Sequence, residues 1–166
     1  MTHGGHADYN LMEGNVYPTH YFDNIHGSGG NNVIFRSKLS GWESGKTGST
    51  KPISIEQRNN NYSIIGNVLG TSGYHNSYES GSNTSIYALS SAVIANVLRW
   101  GNYDVVNNAI RWNTTERPDG TDVSHNLPPS MYLSGKPAWF GNLAWPAFGP
   151  DPVTPTSLLN GNIPAK

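Results

Sequence analysis

Two groups of side chains in this 166-residue chain have the types and spacing to do chemistry. Arg36 and Lys38 are two residues apart, so on a strand they share a side, where Asp23, His26 or Glu13 from a neighbouring turn can join them. Basic groups beside a carboxylate and an imidazole can move a proton, which makes Arg36, Lys38, Asp23 and His26 the candidate catalytic set. Tyr74, His75 and Tyr78, together with Tyr87, flank a Gly/Ser-rich loop from Gly70 to Ser85. Aromatic rings beside hydroxyls and amides suit stacking on a sugar and hydrogen bonding to it, so Tyr74, His75 and Tyr78 are the candidate substrate-binding residues. His3, His6, Asp8, Asp23 and His26 are metal-ligand types, but His3-Gly4-Gly5-His6 lacks the spacing of a helical ligand pair, and no metal site is expected. Glu13, Asp23, Glu56 and Asp104 are available as a hydrolytic carboxylate pair, and no two of them stand in a diagnostic motif. Ser40-Gly41-Trp42-Glu43-Ser44-Gly45-Lys46-Thr47 has Ser where a phosphate-binding loop needs its first Gly, and Gly27-Ser28-Gly29-Gly30 lacks the spacing of a nucleophile elbow.

Short strands and turns must position these groups. The chain holds 19 Gly, 20 Asn and 18 Ser, residues that disfavour helix interiors and supply turns. Apolar runs of four to six residues alternate with Asn/Gly/Ser clusters from Asp8 to about Val106, which predicts strands. Ile86–Leu98 carries both periodicities, and its alternation favours strand over helix. With 13% charged residues and a net charge of -1, the chain lacks the basic field that holds nucleic acid. It has no cysteine and no apolar run long enough to span a membrane. Its start does not have the order of a signal peptide, so export by that route would need a signal on sequence outside this chain.

Internal repetition sharpens the fold. Ile65-Gly66-Asn67-Val68-Leu69 recurs as Ile94-Ala95-Asn96-Val97-Leu98, with Glu13-Gly14-Asn15-Val16 and Phe35-Arg36-Ser37-Lys38-Leu39 as weaker copies that place Lys38 opposite Asn15 and Asn67. A period of about 23 to 29 residues predicts stacked coils with an Asn ladder along one turn. Of 11 prolines, 8 lie from Pro128 onward, beside Trp139, Phe140, Trp145 and Phe148, so residues 127–166 read as an extended arm packed on coils spanning 1–126 within one structural domain.

Tyr9-Asn10-Leu11-Met12-Glu13-Gly14-Asn15, Asp23-Asn24-Ile25-His26-Gly27-Ser28, Phe35-Arg36, Leu98-Arg99-Trp100-Gly101-Asn102-Tyr103-Asp104, and the stretch from Leu127-Pro128-Pro129-Ser130 to Trp139-Phe140-Gly141 resemble the C-terminal half of bacterial secreted proteins of the pectate-lyase-like superfamily. The resemblance implies an all-β, right-handed parallel β-helix, an extracellular or cell-surface location, and contact with polysaccharide or a cell-surface glycan. It leaves open a lyase, a hydrolase, or a non-catalytic adhesion or tailspike-like role. In the lyases of that superfamily a basic residue takes the proton beside a carboxylate, which Ca²⁺ or a second basic group neutralises. Ca²⁺ is thus the one cofactor the resemblance admits. A stack of coils that opens near Tyr9 with only small or polar residues before it leaves its N-terminal end uncovered, and predicts a homo-oligomer.

Overall fold

The computed structural model describes residues 2–118, 124–150, 157–159 and 161–164. The first residue and two prolines of the expected arm, Pro152 and Pro155, lie outside the described residues. Strands follow one another as β1 (Leu11–Glu13), β2 (Val16–Tyr17), β3 (His20–Phe22), β4 (Val33–Phe35), β5 (Lys38–Leu39), β6 (Ile53–Ile55), β7 (Tyr62–Ile65) and β8 (Val68–Leu69). Then come β9 (Ser77–Glu79), β10 (Ser85–Leu89), β11 (Val97–Trp100), β12 (Asn102–Asp104), β13 (Ala109–Arg111), β14 (Gly149–Pro150) and β15 (Ser157–Leu158). They form sheets in the orders β1-β4-β7-β11, β3-β6-β10-β9 and β13-β12-β8-β5-β2, and β14 pairs with β15. The first two sheets are parallel, and the third is parallel except for antiparallel β13.

The expected right-handed parallel β-helix is therefore corrected. The chain is mostly β, but its strands are only two to five residues long and lie in parallel and mixed sheets, with 6% of the described residues helical. Two departures from uniform coils carry the correction. β9 and β10 are sheet neighbours separated by a short loop, and β13 turns back on β12. A one-turn 3₁₀ helix, Ile94–Asn96, also sits where the repeat places a ladder turn; strand occupies only the flanks of Ile86–Leu98, as β10 and β11.

Alternation explains the strands that position the cleft described below. In β6, Ile53 and Ile55 are buried and Ser54 between them is not; in β7, Tyr62 and Ile64 are buried. These side chains join Phe22, Ile34, Leu39, Leu69, Ile86, Tyr87 and Val97 in one apolar core drawn from all three main sheets. Full burial of each such side chain stabilises the fold by about 1.5–3 kcal/mol before entropy is counted.

Corners between strands are fixed by left-handed residues and by side-chain amides. Glu13, Phe35, Ile65 and Trp100 pair in register, and each is followed by a residue of positive φ: Gly14 (68°), Arg36 (43°), Gly66 (63°) and Gly101 (65°). Glycine takes this conformation without the Cβ clash, so Arg36 is the strained member of the set. The next residues form a ladder. Asn15 N–H donates to Ser37 Oγ at 3.1 Å, Ser37 N–H to Asn67 Oδ1 at 2.8 Å, and Asn67 N–H to Asn102 Oδ1 at 2.9 Å, across separations of 22, 30 and 35 residues. The ladder thus runs through Ser37 and Asn102, where the repeat placed Lys38 and Asn96.

Outside the three main sheets, the described residues Leu127, Phe140, Ala147 and Phe148 lie on two further apolar clusters. Leu127 packs with Phe35 and Trp100, and Phe140, Ala147 and Phe148 pack with Val68. At the opposite end of the sheets, Thr2 bridges to Phe22, and its N–H donates to Tyr21 O at 2.9 Å, so the N-terminal segment lies along the edge of β3. Tyr9 and Val16, beside β1 and on β2, remain exposed. No helix of the described residues is long and apolar enough to cross a membrane.

Candidate functional site

The four candidate catalytic residues are not brought together. Arg36 does not share a strand face with Lys38, because it occupies the left-handed corner between β4 and β5. It is 1% exposed, and its guanidinium donates to the carbonyls of Leu127 (3.0 Å), Pro128 (2.8 Å), Phe148 (3.0 Å) and Pro150 (2.5 Å). Arg36 thus ties the C-terminal segment to the sheets. Lys38 Nζ donates to Leu159 O at 3.2 Å. Asp23 is buried, accepts from His3 Nδ1 and from Ile25 N–H (3.1 Å), and has its carboxyl held below the usual carboxylate range chiefly by the His3 hydrogen bond. His26 is exposed, its ring edge-on to His3 at 4.6 Å. Among the described residues, no group of three or more His, Asp or Glu side chains is placed to hold a metal ion.

Of the candidate substrate-binding residues, Tyr74 and His75 stay in edge-on ring contact at 5.0 Å, while Tyr78 stands apart against Tyr87. His75 is buried; Thr71 N–H donates to its Nδ1 at 2.9 Å and its Nε2 lies 2.9 Å from Thr50 O, which assigns the proton to Nε2. Tyr78 donates to Glu116 Oε2 at 2.6 Å beneath Arg111, and burial followed by that hydrogen bond pushes its phenol well up. Glu116 also accepts from Arg111, while Arg99 pairs with Glu79 and stands over the rings of Tyr78 and Tyr87. This charged cluster closes the end of the sheets formed by β9, β11 and β13. Tyr74 is half-buried and stacked on Trp42.

A concavity of about 570 Å³ lies elsewhere, over the outer face of the β3-β6-β10 sheet. Pocket volumes of several hundred Å³ hold small-molecule ligands. Its floor follows from strand register: Tyr21, Ser54 and Ala88 are partners across the three strands and point away from the core. Ser54 and Ala88 are small and leave the space, while Tyr21 stands beside it. At one end the Tyr21 hydroxyl donates to Glu56 Oε1, a hydrogen bond that pushes the phenol up to about 12. Asn24 and Gln57 border the same end, where Asn24 Nδ2 donates to Gln57 O at 3.3 Å. At the other end are Thr19, Ser49 and Lys51; Thr19 Oγ1 donates to Ser49 O at 2.7 Å. Lys51 makes no hydrogen bond or ion pair with the described residues.

The cleft therefore offers a ring, hydroxyls, amides, one ammonium and one carboxylate. Among the described residues, Glu56 is the single carboxylate of its lining, whereas glycoside hydrolysis ordinarily uses two. Glu56 stands among the carboxylates named from the sequence; Tyr21, Lys51 and Gln57 do not. The signal that could have found Tyr21 is the alternation His20-Tyr21-Phe22, which turns its middle residue outward as Ile53-Ser54-Ile55 does. No protein-family model, curated protein or solved structure matches this chain.

Proposed function

We propose that this chain is a polysaccharide-contacting module, part of an extracellular carbohydrate-active protein, and that it holds the glycan in the cleft over the β3-β6-β10 sheet. The observation that carries this reading is the pairing of an aromatic wall with polar groups at both ends of one concavity. Tyr21 presents ring and hydroxyl, Glu56 accepts, Asn24 and Gln57 both donate and accept, and Lys51 donates. Sugars display apolar C–H faces and a rim of hydroxyls, which this combination can meet on both counts. The single carboxylate favours binding over hydrolysis.

A glycan array probed with the purified chain tests the reading, with Glu56→Gln and Lys51→Ala as comparisons. Binding to at least one polysaccharide that is weakened in both variants is the expected result. An array without signal, or signal that neither variant changes, overturns it.

A further inference from the structure

Beyond the cleft, a stacked aromatic pair stands outside the apolar core, its Tyr74 ring edge-on to the buried His75 at 5.0 Å. The rings of Trp42 and Tyr74 lie 4.9 Å apart with planes 12° from parallel. Both are half-buried, and neither belongs to any of the three apolar clusters that make up the core and its flanks. Large aromatics normally stabilise a fold through the area they bury in such clusters.

Hydrogen bonds place this pair next to the cleft. Thr19, on the cleft's rim, donates from Oγ1 to Ser49 O at 2.7 Å and lies 3.4 Å from Gly41 O, so both ends of the 41–49 loop are held at that rim. Lys46 fastens the loop further, its Nζ donating to Thr19 Oγ1 (2.9 Å) and Gly41 O (2.8 Å). Trp42 follows Gly41 directly, one peptide step of about 3.8 Å along the chain. Tyr74 is held against it through Thr71, whose Oγ1 is shared between Ser40 O (2.8 Å) and Trp42 O (3.0 Å) and whose carbonyl accepts from Tyr74 N–H at 3.2 Å.

We propose that the Trp42–Tyr74 pair is an aromatic platform extending the glycan site past Thr19, on which a sugar ring of a longer chain stacks after the cleft is filled. This inference rests on the polysaccharide reading of the cleft. A short ligand occupies the cleft alone, and a longer one reaches the platform, so the platform sets a preference for chain length.

The test uses dimers and hexamers of β-1,4-linked glucose, xylose, mannose and N-acetylglucosamine and of α-1,4-linked galacturonate, titrated calorimetrically into the wild-type chain, Trp42→Ala and Tyr74→Ala. Whichever sugar binds, the hexamer should bind the wild type more tightly than the dimer. Trp42→Ala should weaken hexamer binding about tenfold and leave dimer binding unchanged. Tyr74→Ala, which removes the ring supporting Trp42, should move hexamer affinity in the same direction. Trp42→Phe, which keeps an aromatic face, should recover most of the loss and guards against misreading a folding defect. Hexamer binding within twofold of wild type in both alanine variants overturns the platform while the cleft reading stands. Absence of binding by the wild type to any of these sugars overturns both.

Discussion

Replacing Arg36 tests how the C-terminal segment is attached. Its guanidinium donates to four carbonyls contributed by Leu127, Pro128, Phe148 and Pro150, in a setting where the side chain is 1% exposed. A hydrogen bond from a charged donor contributes about 1.5–3 kcal/mol, and a buried carbonyl left unpaired costs about 1–3 kcal/mol. Four such bonds cannot be summed, because they share one group and the segment can lift and expose its carbonyls to water. The expected loss for Arg36→Ala is therefore about 4 kcal/mol, at the upper end of single substitutions. Arg36→Gly separates side chain from backbone. It loses the same bonds but relaxes the 43° φ at a corner where Gly14, Gly66 and Gly101 stand in register, and should recover about 1 kcal/mol relative to alanine. Chemical denaturation measures both values, and hydrogen exchange of residues 127–150 reports whether the segment opens before the sheets do. Arg36→Ala within 1 kcal/mol of wild type, with protection of 127–150 unchanged, would refute the reasoning.

Four other outcomes follow from particular contacts. Asn67→Ala removes the acceptor of Ser37 N–H and the donor to Ile34 O inside the fold, and should cost about 3 kcal/mol in denaturation experiments. Asn96→Ala, in the exposed 3₁₀ turn, should change stability by less than about 0.5 kcal/mol; the opposite ranking would restore the ladder register read from the repeat. Burial lowers the His20 imidazole to about 4, so the unfolded chain binds the extra proton between its ordinary value near 6.5 and 4. Stability should accordingly fall by about 3 kcal/mol as pH drops through that window, and His20→Phe should flatten the dependence measured by thermal melts. Burial alone would raise the Glu116 carboxyl, but hydrogen bonds from Arg111 and Tyr78 outweigh it and hold the group low, so its contribution is present above the usual carboxylate range and is lost as pH falls below it. Glu116→Gln should cost about 3 kcal/mol at neutral pH by leaving buried arginine charge poorly compensated, and unchanged stability there would contradict the ion-pair account.

The strand-and-turn texture is legible because local chemistry sets it. Ile53-Ser54-Ile55 buries two branched side chains and exposes a small polar one, and no distant contact is needed to read that. The register is harder. Ile94-Ala95-Asn96-Val97 repeats most letters of Ile65-Gly66-Asn67-Val68, yet Ala95 cannot take the left-handed corner as cheaply as Gly66. The physically decisive repeat is Gly-Asn, at 14–15, 66–67 and 101–102, with Arg36-Ser37 as its substituted copy. Arg36 misleads for the same reason: a cation in an apparent strand suggests a working surface, whereas a corner position turns it under the C-terminal segment. The cleft is the least legible feature. Tyr21 and Glu56 are 35 residues apart, and only pairing of β3 with β6 makes them neighbours.

Backbone amide chemical-shift changes, followed as the strongest-binding hexasaccharide is titrated into the ¹⁵N-labelled chain, locate the glycan on or off the β3-β6-β10 sheet. The predicted shifts cluster at Thr19 to Asn24, Lys51 to Gln57 and Ala88 to Ser90, with Trp42 and Tyr74 joining them where the hexasaccharide reaches the platform, and their titration curves share one dissociation constant. Shifts confined to other surfaces, or none at saturating sugar, would contradict binding in the cleft.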